Sequence, residues 1–434
     1  MTSQVYKELT LSTTPTHPPA VAAPVAQEER IQTLDVLRGF ALFGILTVNM
    51  YLFSHPFQNY LLPPSDLPWY DQAAKLLILA LSEGKFYTLF SLLFGLGFAI
   101  QLERARARGG PFVPLYLRRL GVLLIFGLIH AFFIWIGDIL SLYAILGMFL
   151  LLFTWVKNPR TLLIWAAIFW IALQLGSFAL TGLVMWGRSV PEVAVEIDAS
   201  FAIQEEMFAI ERERALAAYG SGTFWDVTVQ RARDLTTISM GSLAMAPMVM
   251  TMFLIGAYIG RRGLLRDVAA HRGLFRRLLL GGFALGIPAN IIAALLIDQT
   301  GRADLSWSLA AANFLLSLGG ITQSIAYLSG IVLLCQSLPW SRWLAYLAPV
   351  GQMGLSNYLF QSIVCTLIFY SYGLGLFNQV GIAAGLLLAI VIYATQIPIS
   401  HWWMARFRYG PAEWLWRSLI YMRPQIMRRS AAAR

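Results

Sequence analysis

Apolar segments long enough to cross a lipid bilayer recur along the chain, and they limit its fold more than any other feature. The first, residues 34–53 (LDVLRGFALFGILTVNMYLF), has about the 20 residues that a helix needs to span a hydrocarbon core about 30 Å thick. Hydrophobic residues make up 58% of the 434-residue chain and charged residues only 12%, which excludes an ordinary soluble globule. We therefore expect an all-α fold, a polytopic bundle of transmembrane helices.

The apolar segments predict about ten membrane spans, near residues 34–53, 84–102, 120–136, 139–156, 161–186, 238–259, 278–297, 307–334, 351–372 and 380–403. Along the chain, every second connection between these segments is rich in arginine. Because cytoplasmic loops carry an excess of Lys and Arg, this pattern predicts that both termini are cytoplasmic. The same clusters account for the net charge of +10. We therefore expect the lipid bilayer, and not a nucleic acid, to be the large partner.

Composition divides the chain into five parts. The first is rich in Pro, Ala, Thr and Ser and predicts a disordered cytoplasmic tail. Two membrane bundles of about five spans each flank a polar insertion, whose acidic bias predicts an external position. A basic cytoplasmic tail with an interfacial helix near residues 411–421 ends the chain. In order, these parts are residues 1–30, 31–186, 187–235, 236–404 and 405–434.

Polar residues inside the first apolar segment cost free energy unless a partner or water satisfies them. Arg38 and Asn49 are eleven positions apart, so on a helix they project within about 20° of each other. Asp35 lies about 60° to one side of them. One interpretation is that this stripe faces a wet cavity, and the other is that Asp35 and Arg38 pair at i,i+3.

A histidine in the membrane interior is the strongest candidate for chemistry. His130 lies about 10 Å below the external hairpin that contains Asp138, and we expect both to converge with Tyr143 in one pocket. A neutral imidazole can remove a proton from a hydroxyl or amine, or carry an acyl group, while a carboxylate from Asp138 or Glu83 holds its tautomer. The structural alternatives are a hydrogen bond between helices for His130 and an N-cap for Asp138.

Other polar residues are candidates for binding a donor or substrate. Glu83 and Lys85 begin the second apolar segment, and Asn357 with Gln361 forms a polar stripe on the ninth. That stripe predicts either hydrogen bonds between helices or the wall of a channel. Walker A, HExxH, GxSxG and repeated zinc-binding patterns do not occur in the sequence, so we expect no metal site and no permanently bound cofactor.

Five blocks of the sequence resemble the signature blocks of one known family. They are LDVLRGFALFGILTVN, EGKFYTLFSLLFGLGFA, GLIHAFFIWIGDILSLYAILG, GQMGLSNYLFQS and FRYGPAEWLWRSL. In this order they look like those of the YeiB-like bacterial inner-membrane proteins, which carry a C-terminal domain of unknown function. The resemblance implies a multi-pass protein of the bacterial inner membrane.

A more distant similarity is to transmembrane acyltransferases such as the lysosomal heparan-α-glucosaminide N-acetyltransferase. In these enzymes a D-x-x-RG helix ends in an Asn and is followed by a catalytic His on the non-cytoplasmic side. Asp35, Arg38, Asn49 and then His55 resemble that layout. His130, in the more family-specific block, is our first choice as the catalytic histidine.

Two functions follow from these residues. One is an acyltransferase that takes an acyl group from a cytoplasmic acyl-CoA-like donor, whose phosphates Arg38 attracts, and delivers it to an external glycan, lipid or small molecule. Asn49, His130 and Asp138 would then act near the external end. The other is a transporter or lipid flippase in which His130 and a carboxylate relay protons. A membrane scaffold is a third, and the oligomeric state stays open.

Overall fold

The structure is a computed structural model that describes residues 31–61, 67–300, 302 and 305–429. The predicted disordered tail, residues 1–30, lies outside the described residues. In the described part of the chain the secondary structure is helical and no β-strand is formed. The prediction of an all-α bundle is therefore confirmed.

Sixteen α-helices are described. They are α1 (Gln32–Ser54), α2 (Gln58–Leu61), α3 (Trp69–Leu81), α4 (Phe86–Arg108), α5 (Phe112–Ile129), α6 (Leu140–Leu150), α7 (Arg160–Arg188), α8 (Pro191–Ser221), α9 (Phe224–Arg261), α10 (Arg272–Thr300), α11 (Trp307–Leu334), α12 (Trp340–Ala345), α13 (Ala348–Gln352), α14 (Gly354–Phe369), α15 (Ile382–Arg406) and α16 (Pro411–Tyr421). A π-helical turn, His130–Ile134, extends α5, and a 3-10 turn, Leu151–Phe153, extends α6.

Eight helical segments in the described residues are long and apolar enough to cross a membrane. Large apolar side chains such as Leu175 of α7, Leu280 of α10 and Leu387 of α15 are exposed on their outer faces, as expected for helices in contact with lipid. The chain is therefore a multi-pass membrane protein.

The fourth and ninth predicted spans are shorter apolar helices, Leu140–Phe153 and Gly354–Phe369. At 1.5 Å per residue they are about 21 and 24 Å long, less than a hydrocarbon core of about 30 Å. Of the ten predicted spans, eight thus correspond to helical segments that are long enough to cross a membrane, and two correspond to shorter apolar helices. That both termini are cytoplasmic stays a prediction.

The short helix α6 nevertheless runs from one end of the bundle to the other. The residues that follow α6 lie beside the arginine-rich end of α4, since the Thr154 carbonyl accepts a hydrogen bond from Arg106 Nη2 at 2.6 Å. The Phe153 carbonyl likewise accepts one from Arg261 Nη2 at 2.9 Å. We call this end of the bundle, where α4 and α9 end and α5 begins, the basic end.

Helix α1 lies at the centre of the fold, in contact with α4, α11, α13, α14 and α15. Close helix packing elsewhere depends on glycine, as between α4 and α9. A Cβ added at Gly95 would overlap the Phe253 carbonyl, and one added at Gly256 would overlap the Leu92 carbonyl. The expected close contact of the second span is confirmed for Gly95, whereas a Cβ added at Gly97 would meet only Gln101 Nε2, at 3.9 Å.

Both polar extensions of the bundle are helical. The insertion consists of α8 and the first turns of α9, which continues without a break into the sixth predicted span. At the other end of the chain, α16 has the predicted bounds and packs against α5 and α14. Trp416 of α16 donates its indole N–H to the Arg119 carbonyl at 3.2 Å. The tail helix is therefore docked on the bundle at the basic end.

Candidate functional site

A cavity of about 480 Å³ enters the bundle from the basic end. Its walls come from α1, α4, α5, α6, α14 and α16, and Tyr143 and Tyr358 line its inner part. Apolar side chains of α1 and α4, among them Leu42, Phe90 and Phe94, form the walls between. A cavity that is charged at its mouth and apolar inside suits a ligand with a polar head and an apolar chain.

The charged side chains of this cavity are mostly positive. Its lining includes five arginines and two carboxylates, namely Arg38, Arg104, Arg108, Arg119 and Arg417 with Asp35 and Glu413. Because an excess of guanidinium groups attracts phosphates and carboxylates, an anionic head group is the expected ligand at the mouth.

The polar pair of α1 belongs to this mouth. Arg38 Nη1 donates to the buried Asp35 Oδ1 at 3.0 Å, and both residues line the cavity. The two interpretations of the stripe are thus compatible, since the residues pair and also face a cavity. Asn49 lies farther along α1, half-buried, and does not occur among the described residues that line the cavity.

The strongest constellation of catalytic residue types lies beyond the inner end of the cavity. His130 is fully buried, at the point where α5 passes into the π-helical turn. Its Nδ1 is 3.1 Å from Asp138 Oδ1, and its Nε2 is 2.9 Å from the hydroxyl of Ser362 on α14. An Asp–His–Ser relay of this connectivity is the arrangement that activates the serine in many hydrolases and acyltransferases.

The carboxylate of Asp138 is held in place from the other side by α6. Its two oxygens accept hydrogen bonds from the first backbone N–H groups of that helix, Leu140 at 3.2 Å and Ser141 at 2.8 Å. Asp138 thus caps these N–H groups from one position before Ile139, the N-cap residue of α6, and it also contacts His130. The helix fixes the carboxylate, and the carboxylate orients the imidazole.

These contacts assign a role to each ring nitrogen. A carboxylate only accepts hydrogen bonds, so Nδ1 of His130 carries the proton that faces Asp138. The neutral Nε2 is then an acceptor, and the Ser362 hydroxyl donates to it. In this tautomer the imidazole can act as a general base toward a hydroxyl at the Ser362 position.

Tyr358 separates the cavity from His130. It lines the cavity, its ring centroid is 5.0 Å from that of His130, and its hydroxyl donates to the Gly137 carbonyl at 3.1 Å. Tyr143, expected beside His130, instead lines the cavity and donates to the Tyr87 carbonyl at 2.8 Å. His130 and Asp138 are therefore in contact, as expected. Tyr143 lies in the cavity, on the other side of Tyr358 from His130.

Glu83 and Lys85 have partners of their own. Glu83 Oε1 is 2.5 Å from Arg302 Nη2, and the buried Lys85 donates to the Leu79 carbonyl at 2.6 Å. Of the two carboxylates considered for His130, the structure thus brings Asp138 to it and engages Glu83 elsewhere.

His55 also lies apart from the constellation. Its Nδ1 is 2.8 Å from the Ser54 hydroxyl, and its ring stacks on Tyr51 at 4.6 Å. Burial lowers the pKa of His55 from 6.5 to about 4, so it is neutral at pH 7. In the described part of the chain no hydrogen bond joins it to His130.

Asn357 and Gln361 join α14 to α15. Asn357 Nδ2 donates to the Ser400 hydroxyl at 3.0 Å, and Gln361 Nε2 donates to Gln396 Oε1 at 2.8 Å. All four side chains are buried. Of the two interpretations of this stripe, these contacts favour hydrogen bonding between helices.

Sequence reasoning missed Ser362 and Tyr358. Both lie on the ninth predicted span, four positions apart, so they share a face of α14. The spacing was visible in the sequence, but a single hydroxyl in an apolar helix is usually satisfied by its own backbone. Only the position of His130 on another helix gives these two residues significance.

The sequence matches known proteins along most of its length. A family described as "Protein of unknown function (DUF418)" matches residues 259–423. The uncharacterized protein YxaH of Bacillus subtilis (strain 168) is 38% identical over 419 residues, which cover 92% of this chain and 96% of the relative. The uncharacterized protein YeiB of Escherichia coli (strain K12) is 30% identical over 404 residues, with coverages of 90% and 96%. No solved structure matches the chain significantly.

Proposed function

The chain belongs to the YeiB-like family of multi-pass membrane proteins, and from that premise we propose that it is an acyltransferase. The donor is an anionic acyl thioester of the acyl-coenzyme A kind. The acceptor is a hydroxyl or amine of a glycan, lipid or small molecule.

One observation carries this proposal: a cavity with an arginine-rich mouth and an apolar interior ends one tyrosine ring away from a buried His–Asp pair. The arginines bind the phosphates of the donor, and the apolar walls between the mouth and the inner end take its pantetheine arm. The thioester carbonyl then lies at the inner end, next to Tyr358. His130 acts as the general base, and Asp138 stabilises the imidazolium that forms.

The proposal assigns the two ends of the bundle to two compartments. Because arginine-rich ends of membrane proteins face the cytoplasm, the donor enters from there. His130 lies toward the opposite end, where an external acceptor approaches. The membrane is accordingly the bacterial inner membrane, the one in contact with cytoplasmic acyl thioesters.

The test uses purified protein in lipid nanodiscs with acetyl-CoA and longer acyl-CoA donors. Released CoA thiol is measured with a thiol reagent, and acylated products in a membrane extract from the host cell are identified by mass spectrometry. We expect thiol release that depends on His130 and a product heavier by the acyl group. Movement of a solute across proteoliposomes without covalent change and without thiol release would contradict the proposal and favour a transporter.

A further inference from the structure

The hydroxyl of Ser362 lies closer to an imidazole nitrogen than to the carbonyl of its own helix. Several buried hydroxyls in the helices bond closely to a carbonyl of their own helix, as Ser91 and Ser54 do four residues back, at 2.7 Å and 2.9 Å. Ser362 lies 3.3 Å from the corresponding Tyr358 carbonyl but 2.9 Å from His130 Nε2. The shorter of the two contacts favours the ring nitrogen as the acceptor of the single hydroxyl proton.

The surroundings of this hydroxyl restrict what can reach it. Ser362 is 1% exposed and His130 is 0% exposed, so bulk water does not compete for the site. Tyr358, one helical turn before Ser362, is the side chain that both lines the cavity and touches the His130 ring. Displacement of this one ring would connect the cavity to the hydroxyl.

We propose that Ser362 is a catalytic nucleophile that carries the acyl group as a covalent ester between donor and acceptor. This inference rests on the proposed acyltransferase function and deepens it. A bare general base would need donor and acceptor in the site together. An acyl-serine removes that need, because the donor can leave toward the basic end before the acceptor enters.

The first step transfers the acyl group to the protein. Ser362 Oγ attacks the thioester carbonyl carbon while His130 Nε2 takes the hydroxyl proton. The carbon–sulfur bond of the tetrahedral adduct then breaks, and His130 returns the proton to the leaving sulfur. The products are free CoA thiol and an ester on Ser362.

The second step transfers the acyl group to the acceptor. Its hydroxyl or amine attacks the ester carbonyl as His130 removes its proton, and the carbon–oxygen bond to Ser362 breaks. His130 gives the proton to Ser362 Oγ, which restores the starting state. No oxidant, reductant or metal is required by this balance.

The experiment traps the intermediate. Wild-type protein in nanodiscs is incubated with acetyl-CoA and, separately, with octanoyl-CoA, without acceptor, and is then analysed by intact-protein and peptide mass spectrometry. We expect one acyl group per chain on the peptide that contains Ser362, with one equivalent of CoA released. Ser362→Ala should lose the adduct and reduce transfer by about 100-fold or more. Ser362→Cys should form a thioester that neutral hydroxylamine removes.

A buried serine outside the reach of His130 provides the control. Ser400→Ala removes a buried hydroxyl that bonds to Asn357, so it tests the loss of a buried hydrogen bond without loss of the nucleophile. This variant should keep the adduct on Ser362, and thermal unfolding of both variants reports whether each is folded.

The outcomes separate this inference from the proposed function. Transfer to acceptor with an unmodified Ser362, and with Ser362→Ala as active as wild type, overturns the serine intermediate and leaves the acyltransferase intact. An acyl adduct on His130 in place of Ser362 would likewise overturn the serine intermediate and leave the acyltransferase intact. Absence of both CoA release and transfer with every donor overturns the acyltransferase itself and this inference with it.

Discussion

The carboxylate of Glu413 accepts a hydrogen bond from the Ser356 hydroxyl at 2.5 Å, so the C-terminal helix α16 is joined to the first turn of α14. It also accepts the backbone N–H groups of Leu355 at 2.7 Å and Ser356 at 3.1 Å. The first N–H groups of a helix lack partners within it, and a carboxylate there stabilises the helix. Glu413 thus fixes the helix that carries Tyr358 and Ser362.

Loss of this cap should destabilise the protein. We expect Glu413→Ala to lower the free energy of unfolding by about 1–3 kcal/mol, because buried N–H groups lose their acceptor. Thermal unfolding in detergent measures the change. Glu213→Ala is the matched control, since that side chain is 70% exposed, and it should leave the unfolding temperature unchanged.

The cap also predicts a dependence of stability on pH. Burial raises the pKa of Glu413 above its ordinary value, although its hydrogen bonds oppose this. A carboxyl whose pKa is raised on folding binds more protons in the folded state, so its contribution is full below the ordinary pKa and declines as pH rises through the raised one. Glu413→Gln should remove this decline, and an unchanged pH profile in that variant would contradict the prediction.

His130 and His55 should differ sharply in their effect on activity. His130→Gln removes the proposed base, and we expect acyl transfer to fall by about 10²–10⁴-fold. His55→Gln should retain transfer, because the His55 ring contacts the Ser54 hydroxyl and stacks on Tyr51, apart from His130. Initial rates of CoA release measure both. Loss of activity in the His55 variant alone would reverse our assignment.

Asp138→Asn separates the two roles of that side chain. The amide can still cap α6, so we expect a loss of stability of only about 1 kcal/mol. Its NH₂ group cannot accept the Nδ1 proton of His130, so transfer should fall by about 10²–10⁴-fold. Asp267→Asn is the control: Asp267 accepts the Ala270 N–H at 3.0 Å, far from any catalytic group. A fully active Asp138→Asn protein would exclude a tautomer-setting role.

The arginine-rich mouth should control the affinity for the donor. Arg104→Gln removes one cavity guanidinium, and loss of a charge-assisted hydrogen bond is expected to raise the KM for acyl-CoA about tenfold or more. Arg106→Gln, on the same helix, alters a side chain that bonds to the Thr154 carbonyl outside the cavity, and should leave KM unchanged. Equal effects of the two substitutions would argue against phosphate binding at this mouth.

The crossing of α4 and α9 gives a test of the fold itself. Gly95→Ala places a methyl group on the Phe253 carbonyl, and such overpacking costs about 1–3 kcal/mol. Gly97→Ala is two residues away, and its methyl group meets Gln101 Nε2 only at 3.9 Å. We expect Gly95→Ala to lower the unfolding temperature and Gly97→Ala to leave it unchanged. Similar unfolding temperatures would show that the helices are not in close contact.

The long helices were predictable from the sequence because their signals are local. Hydropathy alone predicts α1, and two tryptophans beside Glu413 and Arg417 predict α16, whose bounds match. The two short helices were not distinguished from full spans. Their apolar character extends past their ends, whereas the helix breaks at Met353 and the return of the chain at Thr154 depend on contacts with other helices.

The candidate site was predictable only in part. His130 and Asp138 lie eight positions apart, so the hairpin between α5 and α6 is enough to bring them together. The choice of Asp138 over Glu83 depends on how α4 packs, and Ser362 is 232 positions from His130. A contact between residues so distant in sequence leaves no periodic signal in a single chain.

The π-helical turn His130–Ile134 has a consequence for comparison among relatives. A π turn contains one residue more than an α turn, so it corresponds to a single inserted residue within a helix. A relative that lacks this residue would continue α5 as a regular helix, with everything after it rotated by about 100°. The carboxylate of Asp138 would then no longer lie within hydrogen-bond distance of His130 Nδ1. A relative with a single-residue gap at this turn is therefore expected to keep the helix bundle and to lack the contact between His130 and Asp138.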